Sequence, residues 1–319
     1  VDFVTLGRFV SNPRLSKVRE GIELCKKEGV DFLLAVGGGS VIDSCKAIGY
    51  GVANPWTDVW NFFLKTETPK ACLPVAAIPT IAASGSEMSN SCVITNEDGW
   101  LKRGSVKSDL CRPRFALLNP RLTYSLPQYQ TESGCVDILM HTMERYFVNI
   151  ETMEITDSIS ESLMQTVIYN ARILMKEPGN YNARAEVMWA GSLSHNGLTG
   201  CGTGGGDWAC HQLQHELGGL YDVAHGAGLA AVWGSWARYV YQENPERFAQ
   251  FATNVFDIPC YSDFESTALA GIEAMEDFFR SIQMPTNLHE LGLDLTDQEI
   301  HELAFKCSYE DTRTIGVFK

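Results

Sequence analysis

Residues 30–51, VDFLLAVGGGSVIDSCKAIGYG, decide how this chain is read. The segment opens with a continuous apolar run of strand length, as expected for a strand covered on both faces in a parallel sheet. It passes straight into Gly37, Gly38, Gly39 and Ser40, and then into a helical pattern. Three side chains are missing where a strand ends and a helix begins. Backbone can therefore approach a phosphate there, and the helix N-terminus supplies unpaired N–H groups and positive dipole. The turn lacks both the G-x-G-x-x-G spacing and the Gly-Lys-Ser ending of a P-loop, so neither usual nucleotide fingerprint applies.

The same alternation runs outward from this turn. Upstream, Asn12 and Pro13 start a helix in which Leu15, Val18, Ile22 and Cys25 repeat at helical spacing, and Gly29 ends it. VDFVTLGRFV (1–10) reads as a short strand. Downstream, LPVAAIPT (73–80) is a second buried strand opening into the small-residue turn IAASGSE, followed by strands at NSCVIT (90–95) and FALLNP (115–120). Strands alternating with helices, with glycine at strand ends, predict a doubly wound α/β dinucleotide-binding domain over residues 1–124. From about residue 128 the pattern is helical throughout, in TDSISESLMQTVIYNARILM, YNARAEVMWAGSLSHNG, HGAGLAAVWGSWARYV, ESTALAGIEAMEDFFRSI and TDQEIHELAFKC. Residues 125–319 are read as a second, all-helical metal-binding domain, with the site in the cleft between the two.

That metal reading comes from four residues. In CVDILMHTMERYF, Asp137 and His141 are four apart and share one helix face. In DWACHQLQHELGGLYDVAHGAG, His211 and His215 are one turn apart, and His225 follows a helix break expected at Gly218 and Gly219. A lone histidine is usually a surface or satisfied core residue, but five of the seven histidines (with His195) fall in these segments or just upstream. One carboxylate with imidazoles suits Fe(II) or Zn(II) better than Mg or Ca. Thr80, Ser84 and Ser86 are placed to offer hydroxyls, and Lys102 a cation, to an anionic cofactor.

Composition narrows the function further. The 319 residues are 45% hydrophobic and 20% charged, ordinary for a folded two-domain protein. A formal net charge of -14 without a basic cluster excludes nucleic acid as a partner. Neither a membrane span nor a signal peptide is read, and ten cysteines without a C-x-x-C pair point to reduced thiols and a cytoplasmic location. A zincin-type hydrolase needs Glu directly after the first histidine, where this chain has Gln212.

AVGGGSVIDSCKAIG, IPTIAASGSEMSNSCVIT, VDILMHTMERYF and the H-x-x-x-H with downstream AHGAG, in this order, closely resemble the iron-containing (group III) alcohol dehydrogenase family. Within it they look most like the branch of NADPH-dependent butanol dehydrogenases and broad-range aldehyde reductases. The resemblance implies a dehydroquinate synthase-like architecture and an enzyme moving hydride between NAD(P)(H) and a primary alcohol or aldehyde such as butanol or butanal. It implies Asp137, His141, His211 and His225 as ligands of Fe(II) or Zn(II), and His215 as a catalytic residue beside the metal. Gly37, Gly38, Gly39, Ser40, Thr80, Ser84, Lys102, Leu122 and Leu126 match cofactor positions, and Asp43 matches a family aspartate. NADP(H) is favoured over NAD(H), and a homodimer or larger homo-oligomer is expected. Relative to the family pattern, the opening strand–helix–strand unit and the final helix are not found in these residues. The alternatives are a relative like glycerol dehydrogenase or dehydroquinate synthase, or a truncated, non-catalytic binding subunit.

Overall fold

The computed structural model describes residues 2–150, 153–260 and 262–318. Its first half is built on a parallel pair, β1 (Leu33–Gly37) and β2 (Val75–Pro79), in the register Leu33 to Val75 through Gly37 to Pro79. Helices α1 (Leu15–Glu28) and α2 (Gly39–Ala53) pack on each other, and α2 packs on the pair. The end of α1 falls where its glycine requires: Gly29 adopts φ 65° and returns its N–H to the Cys25 carbonyl. A short helix α3 (Asn61–Leu64) follows.

Several local expectations change. Strand β1 is not covered on both faces: Ala35 is buried, but Leu34 and Val36 stay exposed beside Phe32, Phe115 and Leu117. Residues 2–10 form no strand, because they find no ladder partner. The segment at Phe115 runs beside β2, with Ala77 N–H donating to Phe115 O and Leu117 N–H to Ala77 O, but only one parallel bridge forms, Ala77 to Ala116. The strand expected at 90–95 is β3 (Val93–Asn96), which turns back into an unanticipated β4 (Leu101–Gly104) as an antiparallel hairpin apart from the parallel pair.

The second half is helical: α4 (Gln128–Tyr146), α5 (Glu154–Lys176), α6 (Tyr181–His195), α7 (Ala209–Tyr221), α8 (His225–Val240), α9 (Pro245–Phe256), α10 (Phe264–Ser281) and α11 (Asp297–Cys307). Helix α4 is central and is buried from Thr131 to Tyr146. Around it Phe147, Trp233, Phe248 and Phe251 form an aromatic core. None of the helices is long and apolar enough to cross a membrane, among the described residues. The break predicted at Gly218 and Gly219 does not occur; α7 runs through both and stops at Asp222, which takes φ 53°. A side chain at position 219 would place its Cβ 2.6 Å from the Trp100 carbonyl, so this glycine serves the approach of the β3–β4 hairpin rather than a turn.

One buried ion pair locks this domain. Arg247 binds Asp157 through both guanidinium NH2 groups, at 2.5 and 2.6 Å, donates to the Tyr146 carbonyl at 2.8 Å and lies over the Tyr146 ring. Burial works against the Asp157 carboxylate, but the Arg247 hydrogen bonds overrule it and hold its pKa below the ordinary value. Its stabilisation is therefore fully present above the unfolded-state pKa and is lost as pH falls through the depressed folded value. Asp157→Ala leaves Arg247 buried and uncompensated, and is expected to destabilise the fold by about 3–5 kcal/mol in denaturant unfolding. A loss under about 1 kcal/mol would reduce the pair to the weight of a surface one.

Candidate metal centre and cofactor cleft

Between the halves lies a cleft of about 750 Å³, within the range of small-molecule and cofactor sites. One wall is the glycine turn. Gly38, in extended conformation, caps α2, and the first-turn amides of Gly39 and Ser40 lie at a helix start, where N–H groups lack intrahelical partners. A Cβ on Gly39 would meet Ser84 Oγ at 2.4 Å, so the second strand-end loop closes directly over the turn. Gly38, Gly39, Ser40, Ser84, Ser86 and Lys102 all line the cleft. Asp43 is half-buried and lines the cleft beside them, accepting from Ser86 Oγ at 2.5 Å and from Val93 N–H at 2.8 Å, and so ties the loop to the hairpin.

Not every expected cofactor position arrives there. Thr80 reaches the turn only through its backbone, N–H to Gly37 O at 3.1 Å. Leu122 is exposed on a 3-10 turn, and Leu126 lines a separate small void under Arg184, because the chain leads away from the cleft before α4 begins. Lys102 is buried at the cleft wall and engaged rather than free, donating to Asn12 Oδ1 at 2.9 Å and to Gln214 Oε1 at 3.5 Å. Burial lowers its pKa to about 8, against the opposing pull of Asp137, Asp43 and Asp222.

The floor of the cleft gathers the imidazoles. Asp137 and His141 project from one face of α4, and donor atoms of Asp137, His141 and His211 all lie within 4.8 Å of one another. Around Asp137 Oδ1 stand His141 Nδ1 at 3.6 Å, His211 Nε2 at 3.8 Å and His225 Nε2 at 3.5 Å. In a tetrahedral site with bonds of about 2.1 Å, neighbouring donors lie roughly 3.4 Å apart, close to this spacing. Asp137 Oδ1, His141 Nδ1 and His211 Nε2 are buried without a hydrogen-bond partner. Orphaned donors of this kind are costly unless something bridges them, and one divalent cation fits them all.

Burial lowers the pKa of His141, His195, His215 and His225, helped by neighbouring cations and imidazoles. Burial opposes charge on His211 too, but Glu144 and Asp137 overcome it and raise its pKa to about 9. The five rings form a row, His195 to His141 to His211 to His225 to His215, with successive centroids 4.1, 4.8, 5.3 and 6.1 Å apart. His215 thus closes one end of the row.

Four contributors went unassigned in the sequence. His195 closes the other end of the row, and Trp208 walls it, 5.1 Å from the His211 ring, with Arg145 4.5 Å from its indole. Trp208 holds φ 63° after a glycine-rich loop, a conformation sequence patterns do not announce for tryptophan. Glu144 and Gln214 each stand three residues beyond a candidate ligand, His141 and His211, and that one-turn spacing was the available signal. Glu216, one residue beyond His215, pairs with Arg103 at 2.7 Å.

A glycine turn at a helix start opening onto a buried carboxylate–imidazole floor suits a metal-assisted enzyme that binds a nucleotide. Comparison with known proteins specifies the class. Residues 1–120 match the model of iron-containing alcohol dehydrogenase, and residues 131–318 that of the Fe-containing alcohol dehydrogenase family, C-terminal. A probable NADH-dependent butanol dehydrogenase of Bacillus subtilis is 38% identical over 97% of this chain and 78% of its own length. The NADPH-dependent aldehyde reductase YqhD of Escherichia coli is 35% identical over 92% and 76%. The crystal structure of NADH-dependent butanol dehydrogenase A from Thermotoga maritima superposes with a TM-score of 0.95 at 35% identity, covering 100% of this chain and 80% of that one. The chain belongs to the iron-containing alcohol dehydrogenase family, and is an NAD(P)-dependent alcohol/aldehyde oxidoreductase.

Proposed function

We propose that Asp137, His141, His211 and His225 hold one Fe(II) or Zn(II), that Gly37, Gly38, Gly39, Ser40, Ser84 and Lys102 receive the dinucleotide, and that the substrate is a small primary alcohol or aldehyde such as butanol or butanal. The observation that carries this reading is the convergence of unpaired, buried donor atoms on Asp137 at the floor of the cleft that the glycine turn borders. When bound, the metal would polarise the substrate oxygen as a Lewis acid while the nicotinamide carries the hydride. The chain's own residues do the rest. Helix-start amides at Gly39 and Ser40 offset pyrophosphate charge that the acidic protein would otherwise repel. Trp208 walls the metal end against water. His215, kept neutral by burial, offers a ring nitrogen to take the alcohol proton or return it.

Of the two dinucleotides, the resemblance favours NADP(H), while the Bacillus relative is named for NADH, so both belong in the assay. Oxidation of NADPH and NADH by butanal, after loading with Fe(II) or Zn(II), tests the reading; stoichiometric metal without turnover on any short aldehyde would overturn it. His215→Ala should keep its metal and lose roughly 100-fold in turnover, the usual scale of a general acid–base group, whereas His211→Ala should lose the metal. Equal metal content and rate in both variants would sink the division of roles. Ten free cysteines support work in a reducing, cytoplasmic setting, and a homodimer or larger homo-oligomer is the expected assembly, to be read by light scattering.

A further inference from the structure

The nitrogens of His211 and His225 that face away from Asp137 are held in different ways. His211 Nδ1 meets Glu144 Oε2 at 2.5 Å, and the other oxygen of the same carboxylate accepts the His211 backbone N–H at 3.0 Å. Glu144 lies on α4, two turns beyond Asp137, so this anchor lies wholly within the helical domain. His225 Nδ1 meets Gln214 Oε1, the oxygen that also accepts from Lys102 Nζ on the hairpin. Lys102 is fixed in turn by Asn12, whose Nδ2 donates to Asp222 Oδ1 at 2.7 Å, and Arg14 donates to the same oxygen. The second anchor therefore runs through the nucleotide-binding half.

A carboxylate or amide oxygen can only accept, so each partner requires the proton on Nδ1 and makes Nε2 the nitrogen that can give a lone pair, on His211 once its second proton is displaced. Both Nε2 atoms face Asp137 Oδ1, at 3.8 and 3.5 Å. We propose that Glu144 and Gln214 are positioning residues that set His211 and His225 as Nε2 donors, and that Asn12 and Lys102, acting through Gln214, make the hold of His225 on the metal depend on the docked nucleotide-binding half. This rests on the metal-site reading above. Its particular consequence is that Asn12, which touches no candidate ligand, contributes to metal affinity.

The test is Zn(II) affinity of the full chain, measured by competition with a chelator of known affinity, beside thermal melting of the metal-free proteins. Glu144→Gln replaces two acceptor oxygens by one, and should weaken Zn(II) binding about 10–100-fold, the usual weight of such outer-shell partners. Gln214→Leu should do the same, while Gln214→Glu, which keeps an acceptor, should restore most of the affinity. Asn12→Ala should cost about fivefold, the effect of one hydrogen bond. Melting of the metal-free Asn12→Ala protein should stay near wild type, whereas metal-free Glu144→Gln, without the charge that favours protonated His211, should melt lower yet still cooperatively. Wild-type binding with all variants within twofold of it overturns the proposal, as does equal loss in Gln214→Leu and Gln214→Glu, which would indicate packing rather than tautomer control. A wild-type chain that binds no Zn(II) or Fe(II) would overturn the metal-site reading, and this inference with it.

Discussion

Asp137→Asn is expected to abolish metal retention and to lower butanal-dependent NAD(P)H oxidation roughly 1,000-fold, a few kcal/mol of transition-state stabilisation at 1.36 kcal/mol per tenfold. The reason is geometric: Asp137 Oδ1 is the one oxygen among the clustered donors, and all three imidazole nitrogens lie within 3.8 Å of it. The same geometry gives the variant a second signature. The carboxylate also favours the charged form of His211, so replacing it should lower the melting temperature of the metal-free chain modestly, without unfolding it. Metal content and metal-free melting, measured together, check both halves. A variant that keeps its metal, or that merely unfolds, would show Asp137 to be a structural carboxylate.

Gly226→Ala should be nearly as damaging without touching a donor atom. A Cβ at position 226 would sit 1.8 Å from the Ser133 carbonyl, backbone of α4 that cannot rotate aside. The first turn of α8 must then lift off α4 and take His225 with it. A displacement of about 1 Å at a reacting centre costs on the order of 100-fold, and overpacking adds roughly 1–3 kcal/mol of destabilisation. Turnover with saturating metal, beside denaturant unfolding, separates the two effects. Near-normal values in both would mean that α8 has slack the packing does not suggest.

The failures of the sequence reading have definite causes. Gly218 and Gly219 resemble a helix stop, yet α7 continues because the hairpin carbonyl at Trp100 needs the space that a side chain would fill. NSCVIT was legible as a strand, but its partner LKRG carries no apolar alternation, so the hairpin went unread. Residues 2–10 have strand composition without a neighbour to pair with, and composition alone makes no ladder. The clustering of the metal-site candidates was legible for a physical reason: a helix with period 3.6 turns D-x-x-x-H and H-x-x-x-H spacings into shared faces before any tertiary contact forms.

What the sequence determined by itself was therefore local and periodic: a glycine turn between strand and helix, the helical character of the second half, and two histidine-bearing segments of metal-ligand type. What only the tertiary structure decided was which atoms meet. Asp137 and His225 are 88 positions apart, yet their donor atoms approach to 3.5 Å, because a glycine at 226 lets α8 settle on α4. Glu144, Gln214, Lys102 and Asn12 became partners of that cluster for the same reason. Sequence spacing specifies a face of a helix, whereas close packing of one helix on another selects the atoms that face each other across the cleft.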